Sequence, residues 1–370
     1  MKILHVGKFY SPIEGGIESI NKFIVDTLKG NSQRVICFNN RNKTVEDDID
    51  DISVLRSASF GVIAKQPLSI RYFWDLRRTI KYYNPDVVHF HYPNPLIALY
   101  LLILIPSFTK LIVHWHSDII AQKNFLAVVS PVEKKLLKRA DKVIATSENY
   151  RDNSERLKSV TEKVVVIPCS IDESKFMLSD ADKLKIQSLK NKYGKPIVLF
   201  VGRHVDYKGI RFLLEAERSI SNDCVILIGG SGPLTNSLKE EFKSNRIEWL
   251  GRIPDDDMKI YYHAADIFAF PSITKNEAFG VVLAEAMYCE NPTVTFTIEG
   301  SGVNWVAPNS EVSLEVENSN SESYAVAIDR LLSDEGLRRG LGKNGLKRTM
   351  KLFSKGVVGE QYKKLYKLLK

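Results

Sequence analysis

The chain has 370 residues and a formal net charge of +8. At roughly 100–200 residues per domain, this length predicts two domains. Hydrophobic residues make up 44% of the chain and charged residues 26%, a balance that excludes a disordered chain and is typical of a globular protein.

The positive charge favours partners that carry phosphate: nucleotides, nucleic acid or an anionic membrane surface. A merely solvated basic surface explains it equally well. The four cysteines show neither paired nor metal-type spacing, so we expect reduced thiols and a reducing compartment. The opening MKILHVGKFYSP lacks the apolar stretch of a signal peptide, and the longest apolar run, 96–106, is shorter than the ~20 residues that span a bilayer. These features predict a cytoplasmic protein.

Short apolar runs alternate with amphipathic segments in the first half of the chain. This alternation predicts a parallel sheet with helices on both faces. The predicted strands are 2–7, 35–38, 52–55, 87–90, 111–115, 142–145 and 164–167, and the predicted helices are 17–28, 70–83, 95–105, 131–139 and 148–157.

The same alternation of apolar runs and amphipathic segments begins again at Pro196. A polar, lysine-rich stretch, 172–195, separates the halves and suits a hinge or linker. The final segment, 357–370, is predicted to be a lysine-rich amphipathic helix. Predicted strands of the second half are 197–201, 225–228, 247–250, 267–269 and 292–297, and predicted helices are 210–219, 234–243, 255–264, 279–289, 321–332 and 335–351.

Several candidate ligand-binding loops follow predicted strands, where doubly wound sheets bind their ligands. Glu14, Gly15 and Gly16 precede the first helix, and their backbone suits close approach of an anion, although a plain tight turn fits as well. Arg203 and Lys208 flank the start of a helix in the second half, as expected for a phosphate site. The alternative for Arg203 is an ion pair with a surface acid.

Two further loops of the second half carry candidate contacts. Gly232 lies in a Ser-Gly-Pro loop that either approaches a base or phosphate or is only a turn. Glu277 and Glu285 are eight positions apart around a predicted helix start. There, the amides of Phe279 and Gly280 are expected to donate to sugar hydroxyls, while the carboxylates accept from them.

The segment His-Trp-His-Ser-Asp follows a strand of the first half and contains His114, His116 and Asp118. Two histidines and a carboxylate permit a metal site, but no further cluster in the sequence completes one, and we predict that His116 faces the ligand cleft instead. The acidic runs 47–51 and 255–257 are interpreted as a solvated loop and a helix start, so no metal is expected there.

Taken together, these motifs resemble the retaining GT-B glycosyltransferases of family 4. The segment 266–272 followed by Glu277 to Glu285 resembles the E-x7-E signature of that family. The stretch 166–172 resembles its I-P-N-G-[IV]-D segment, with Ser170 in place of the usual glycine. The resemblance implies an α/β protein of two Rossmann-like, doubly wound domains facing across a cleft. They are an acceptor-binding domain, 1–171, completed by helix 353–370, and a nucleotide-sugar-binding domain, 172–352.

The resemblance also assigns roles to residues. It implies that Arg203 and Lys208 bind the donor diphosphate with help from Gly15, Gly16 and Gly232. Glu285 would bind the ribose, and Glu277 with the amides of Phe279 and Gly280 would bind the sugar. His116 would contact the sugar near the reacting carbon, and the backbone at Ile253 would meet the base.

Within the family, the segment HWHSD together with Gly300 to Val306 is most similar to O-antigen and capsule transferases. This similarity favours GDP-mannose as donor, with a UDP-sugar as the alternative, and a lipid-linked saccharide as acceptor. The implied reaction retains configuration and needs neither metal nor other cofactor. Two rivals remain: a sugar-nucleotide epimerase of the same fold, and a non-catalytic sugar-nucleotide binder.

A basic and aromatic segment indicates contact with a membrane. Cations at Lys65, Arg71, Arg77, Arg78 and Lys81 interleave with aromatic residues between 72 and 83, and 134–139 is a second basic stretch. Such a surface suits docking on anionic lipid, at the acceptor side with Asp118. An alternative interpretation fits the segment equally well: the aromatic residues belong to the core, and the cations are merely exposed to solvent. Nucleic-acid binding is not expected, because no recognised module is present.

Overall fold

The computed structural model describes residues 1–13, 15–63, 66–119 and 123–369. Glu14, Lys65 and Lys370, which entered the sequence predictions, lie outside these residues. The chain forms two compact units, one of residues 1–168 with 358–370 and one of residues 169–357. Within the described part, no helix combines the length and apolar character needed to cross a bilayer.

The first unit is built on an eight-stranded sheet of order β10-β9-β8-β7-β1-β2-β4-β3. Its neighbouring strands pair in parallel except β3, which is antiparallel to β4. The strands are β1 Lys2–Val6, β2 Ser32–Phe38, β3 Val45–Ile49, β4 Ile52–Ser57, β7 Val87–Tyr92, β8 Lys110–Trp115, β9 Lys142–Ala145 and β10 Val164–Val166, with a separate hairpin of β5 Gly61–Ile63 and β6 Gln66–Leu68.

Helices form most of the connections between the parallel strands of this unit, as is usual for parallel pairing, whereas β2 and β4 are connected through β3. Two of them begin with a side-chain cap: Ser69 accepts from Tyr72 N–H, and Asn94 accepts from Ile97 N–H. The helices are α1 Gly16–Thr27, α2 Ile70–Tyr83, α3 Pro95–Leu104, α4 Lys123–Arg139 and α5 Glu148–Asn153, followed by a 3-10 helix, Leu157–Lys163.

The second unit has a six-stranded parallel sheet of order β13-β12-β11-β14-β15-β16. The strands are β11 Ile197–Val201, β12 Val225–Gly229, β13 Ile247–Gly251, β14 Ile267–Phe270, β15 Thr293–Phe296 and β16 Ser313–Val316. The helices are α6 Asp180–Tyr193, α7 Ile210–Ala216, α8 Thr235–Glu241, α9 Asp255–Ala264, α10 Val281–Tyr288, α11 Val303–Val306, α12 Ser321–Ser333, α13 Glu335–Leu352 and α14 Lys355–Lys367, with 3-10 helices Glu173–Phe176, Asp206–Lys208 and Glu217–Ser219. Helix α14 runs on into the first unit from Val358.

Both units therefore have the predicted α/β, Rossmann-like architecture, and the fold class is confirmed. The stretch 172–195, predicted to be a hinge or linker, belongs instead to the second unit, and most of it is the helix α6. A capping box of Ser179 and Asp182 begins this helix, and Gly194, with φ +61°, ends it. The lysines of this helix are exposed and few of its residues are buried. The apolar periodicity that predicts a helix is therefore weak in this part of the sequence.

The acidic run 47–51 was predicted to be a solvated loop, but part of it forms a strand at the edge of the sheet. Asp47 and Asp48 belong to β3, the edge strand, and Asp50 and Asp51 form its left-handed turn into β4. Asp47 is held by an ion pair with Arg56 on β4, at 2.5 Å. This pairing lets an acidic segment join the sheet edge. The strand β16 was also missed, and α4 begins before the predicted Pro131.

Candidate active site

The loops that follow β11, β12, β13 and β14 leave the same edge of the C-terminal sheet, because these strands are parallel. Every candidate donor-binding residue of the second half lies in or just beyond one of these loops. Arg203 and Lys208 follow β11, Gly232 follows β12, Ile253 follows β13, and Glu277 follows β14. The sheet thus gathers groups that are 74 positions apart in sequence between Arg203 and Glu277.

The loop after β11 ends in a tight turn that fixes Lys208. Gly209 has φ +61°, and a Cβ built there would lie 2.0 Å from the carbonyl oxygen of Pro271. The Ile273 N–H also donates to the Tyr207 carbonyl, at 2.9 Å. A side chain at position 209 would therefore separate the β11 and β14 loops, which only glycine allows to meet so closely.

Lys208 and Glu277 form an ion pair in this position. Their side chains are only 10% and 14% exposed. The Lys208 ammonium also lies 5.1 Å from the ring centre of Phe270 and 5.7 Å from that of Tyr207. The Glu277 backbone carbonyl accepts a hydrogen bond from the Ser301 hydroxyl, at 2.5 Å. The cation is thus held by one carboxylate and two aromatic faces.

Arg203 differs from Lys208 in being exposed. Among the residues that the structure describes, no carboxylate forms an ion pair with its guanidinium, so the alternative of a surface ion pair is not realised. Its backbone is well fixed, since a Cβ on Gly232 would lie 2.3 Å from the carbonyl oxygen of the neighbouring His204. The His204 N–H donates to the Ser231 carbonyl, at 3.1 Å. Arg203 is a guanidinium on a rigid loop, available to an anion.

Gly280 shapes the turn that precedes α10. Its φ is +82°, and a Cβ there would lie 2.9 Å from the ring of Phe270. The helix begins at Val281, two residues later than the predicted start at Phe279. The first N–H groups of a helix have no partner inside it, so the backbone around 279–282 offers donors beside Glu277.

Glu285 lies in the second turn of α10, as predicted, and is partly buried. Its Oε2 accepts a hydrogen bond from the Tyr262 hydroxyl, at 3.1 Å. Burial raises the pKa of this carboxyl above its ordinary value. In the loop after β13, Ile253 is buried and its Cδ1 lies 2.7 Å from the position of a Cβ on Gly229. Glu285 is thus held by a contact between α9 and α10, and Ile253 packs against β12 at Gly229.

The glycine loop of the N-terminal unit precedes α1. A Cβ on Gly15 would lie 2.2 Å from the Glu18 carboxylate, whereas a Cβ on Gly16 would meet no described atom within 4 Å. The start of this loop is held by Arg56, which donates to the carbonyls of Tyr10, at 3.2 Å, and Ser11. Arg56 thus couples the acidic edge strand to the glycine loop, a link that the sequence did not reveal.

His116 follows β8 and is 7% exposed. Its Nε2 lies 3.0 Å from Nδ1 of His91, and its ring stacks on His114 with centroids 4.0 Å apart. Burial lowers the pKa of His116 to about 3. Asp118, just beyond, accepts from the indole N–H of Trp115 at 2.8 Å and from the Ser154 hydroxyl at 2.9 Å. These contacts fix the HWHSD segment on the sheet edge.

His114 and His116 belong to a larger cluster that the sequence prediction missed. No further metal-ligating group was predicted beside them, whereas the structure places two more histidines there. His89 and His91 lie on the adjacent strand β7, where His91 pairs in register with His114. One ring nitrogen each from His89, His91 and His114 lies within 4.8 Å of the others. Only the strand order brings them together.

The acidic runs behave differently from the histidines. Asp50 pairs with Lys22 at 2.6 Å, and Asp257 with Lys185 at 3.4 Å. Across the described ranges, neither run forms a group of metal-ligating side chains. Two further carboxylates of these runs are also paired, Asp47 with Arg56 at 2.5 Å and Asp255 with Lys175 at 3.7 Å.

Helix α2 carries the basic and aromatic segment. Trp74 and Tyr82 are exposed by 53% and 74%, whereas Tyr72 and Tyr83 are buried. The Arg77 guanidinium lies 5.6 Å from the Trp74 ring centre. The exposed cations are Arg71, which pairs with Asp75 at 3.0 Å, and Arg77, Arg78 and Lys81. Two of the aromatics are thus core and two are exposed, and contact with a membrane stays a prediction.

Two family models match this chain. Residues 15–175 match the model of glycosyltransferase family 4, and residues 182–348 match that of glycosyl transferases group 1. The chain belongs to the family 4 glycosyltransferases.

Relatives and solved structures agree with this assignment. The chain is 27% identical to O-antigen chain mannosyltransferase C of Escherichia coli, over 100% of this chain and 99% of that protein. It is 29% identical to D-rhamnosyltransferase WbpZ of Pseudomonas aeruginosa, over 73% of this chain and 70% of the relative. Sucrose-phosphate synthase of Thermosynechococcus elongatus has a similar structure, with a TM-score of 0.81 and 22% identity, over 100% of this chain and 99% of its own. HepE of Anabaena, solved with UDP-glucose, has a TM-score of 0.78 and 19% identity, over 100% of both chains. These structures show that the fold is GT-B.

Proposed function

We propose that this protein is a retaining glycosyltransferase that moves a hexose from a nucleotide-diphosphate sugar to a lipid-linked saccharide in the synthesis of a bacterial surface polysaccharide. The observation that carries the proposal is the gathering of Arg203, Lys208 and Glu277 at one sheet edge in a chain of this family. GDP-mannose is the favoured donor, because a relative matched over its full length is an O-antigen mannosyltransferase. The UDP-glucose complex of HepE supports a UDP-sugar as the alternative.

The chemistry follows from the charges that develop in the reaction. The bond between the anomeric carbon and the diphosphate oxygen breaks, so positive charge builds on the sugar and negative charge on the leaving group. Arg203 and Lys208 stabilise that negative charge. Placed donors of this kind are typically worth ~3–4 kcal/mol each in the transition state. Glu285 holds the ribose, and the backbone at Ile253 meets the base.

The sugar is held by Glu277, by the amides of Phe279 and Gly280, and by His116 near the anomeric carbon. Gly15, Gly16 and Gly232 let the backbone approach the donor. The acceptor hydroxyl attacks on the face that the diphosphate leaves, so the configuration is retained, and a phosphate oxygen takes the hydroxyl proton. Glu277 serves as a sugar ligand, since its pairing with Lys208 suits binding rather than nucleophilic attack.

No metal takes part in this proposed reaction, because Arg203 and Lys208 supply the cationic charge that Mg²⁺ or Mn²⁺ supplies elsewhere. Turnover is expected to be equal with added Mg²⁺, with added Mn²⁺ and in excess EDTA. Loss of turnover in EDTA that only Mn²⁺ restores would contradict this part of the proposal.

The lipid-linked acceptor places the reaction at the inner face of the cytoplasmic membrane. Helix α2 is the proposed contact, through its exposed cations and the exposed rings of Trp74 and Tyr82. Each cation near an anionic surface contributes about 1 kcal/mol. Asp118 lies on the proposed acceptor side.

A donor screen tests the proposal. Purified protein is incubated with GDP-mannose, UDP-glucose and other nucleotide sugars, with and without a lipid-linked saccharide. We expect nucleoside diphosphate release that depends on the acceptor, and a product whose anomeric configuration by NMR matches that of the donor. An epimerised nucleotide sugar without glycosylated product would support the epimerase instead. Tight donor binding without transfer or hydrolysis would support a non-catalytic binder.

A further inference from the structure

Five histidines lie on one face of the N-terminal sheet. They come from three neighbouring strands: His5 from β1, His89 and His91 from β7, and His114 and His116 from the end of β8. Register explains the grouping, because His5 pairs with His89, and His91 with His114, while residues two apart on a strand share a face. None of the five is more than 7% exposed.

Three of these histidines meet at a spacing that suits a metal ion. His89 Nε2 and His114 Nδ1 are 3.4 Å apart, which is long for a hydrogen bond, whose donor–acceptor distance is about 2.7–3.2 Å. Two nitrogens bound to one tetrahedral zinc ion at about 2.0–2.1 Å lie roughly 3.3–3.4 Å apart. A ring nitrogen of His91 completes the group within 4.8 Å.

The remaining contacts of these rings resemble those of metal ligands. His89 Nδ1 lies 2.7 Å from the Tyr366 hydroxyl, and His91 Nδ1 lies 3.0 Å from His116 Nε2. In metal sites, the ring nitrogen that does not bind the ion is usually held by such a partner, which orients the ligand. The Nε2 atom of His91, whose Nδ1 is held by His116, is buried and has no hydrogen-bond partner among the described residues. Buried polar atoms are normally satisfied, so this atom calls for an occupant.

We propose that His89, His91 and His114 bind a divalent transition-metal ion, zinc in the first instance, inside the N-terminal domain. Neutral imidazoles suit zinc, copper and nickel, whereas magnesium and calcium prefer the oxygen ligands that this cluster lacks. The ion has a structural role and takes no part in the proposed sugar transfer. Its removal is expected to lower Tm.

The test uses full-length protein without a histidine tag, stripped of metal and titrated with Co²⁺ and then Zn²⁺. We expect one Co²⁺ per chain with the visible absorption of a tetrahedral site, displaced by Zn²⁺. Zn²⁺ at about 100 times its Kd is expected to raise Tm by roughly 5–10 °C. Absence of both the absorption and the Tm shift in the wild-type protein would overturn the proposal, and this measurement requires no variant.

Variants locate the ion. His89→Gln and His114→Gln are each expected to weaken Co²⁺ binding at least tenfold, and Tyr366→Phe, which removes the partner of His89, by about tenfold. The matched control is His263→Gln in the other unit, where His263 Nε2 contacts the Phe176 carbonyl at 3.2 Å; its binding should equal that of the wild type. Equal Co²⁺ affinity in His89→Gln, His114→Gln and the wild type would place the ion elsewhere and overturn the proposal. No activity is measured here, so the result is independent of the proposed function.

Discussion

The ammonium group of Lys208 is paired with the carboxylate of Glu277, 69 residues further along the chain. The pair is nearly buried, yet it sits at the sheet edge where we propose that the donor binds. A diphosphate that reaches Lys208 must compete with Glu277 for the cation. Once released, the carboxylate is free to accept from the sugar. The ion pair thus prepares both groups for a single ligand that carries a phosphate and a sugar.

Lys208→Ala is expected to lower kcat by about 10²–10³-fold, because one placed cation is lost from the leaving group. The fold should persist, as judged by circular dichroism, with Tm lowered since Glu277 loses its partner. Lys192→Ala, which removes an exposed pair with Glu248, is the control and should leave kcat unchanged. A Lys208→Ala enzyme with near-normal kcat would remove Lys208 from the mechanism.

The variant Arg203→Ala separates an effect on catalysis from an effect on stability more clearly than Lys208→Ala does. Arg203 is exposed and has no ion-pair partner in the described part of the chain, so its loss should leave Tm within about 1 °C. We expect kcat to fall by about 10²-fold, because the diphosphate loses its second cation. Arg330→Ala changes an exposed arginine of the same unit and should alter neither quantity. A large fall in Tm for Arg203→Ala would mean that the residue is structural.

Two glycines should respond oppositely to alanine. Gly209→Ala places a Cβ 2.0 Å from the Pro271 oxygen at φ +61°, so it should lower the free energy of unfolding by more than about 1 kcal/mol. Gly340→Ala lies inside α13 with no described atom within 4 Å, and should raise that free energy by about 0.5–1 kcal/mol. Chemical denaturation measures both. A tolerated Gly209→Ala would contradict the close packing of the β11 and β14 loops.

Charge reversal on α2 tests membrane contact. The double variant Arg77→Glu, Arg78→Glu should lower partitioning onto anionic vesicles by roughly 30-fold or more, because two cations at about 1 kcal/mol each are lost. Flotation with and without anionic lipid provides the measurement. The control Lys343→Glu, Lys347→Glu on α13 has the same charge change and should float like the wild type. If the wild type shows no lipid dependence, the cations of α2 are merely solvated.

Much of the fold follows from local pattern. Helix α2 and helix α9 have the predicted bounds, and so does β11, because apolar periodicity and the Ser69 cap mark them clearly. Helix α6 was missed because it buries little, and its stability comes from the Ser179–Asp182 capping box and the ion pair of Asp182 with Lys259, at 2.6 Å. Strand β3 was missed because Asp47 looks like a loop residue until Arg56 is placed beside it.

The candidate site also has parts that could be predicted from the sequence and parts that could not. The loops carrying Arg203, Lys208 and Glu277 were predictable, since each follows a predicted strand and Glu277 matches a family motif. The contact between Lys208 and Glu277 was not, because it depends on β14 lying next to β11. The histidine cluster was hidden for the same reason, as only the order of β1, β7 and β8 joins His5, His89 and His114. The sequence pattern predicts individual helices and strands, whereas contacts between residues on neighbouring strands can be predicted only once the strand order of the sheet is known.

The N-terminal unit is discontinuous in sequence, since residues 358–370 complete a domain that begins at residue 1. Tyr366, which contacts His89 from α14, is thus synthesised after the second unit. During translation, the strands of this unit are synthesised before the second unit, and residues 358–370 are synthesised after it. The contact of Tyr366 with His89 therefore forms only after the chain of the second unit has been synthesised.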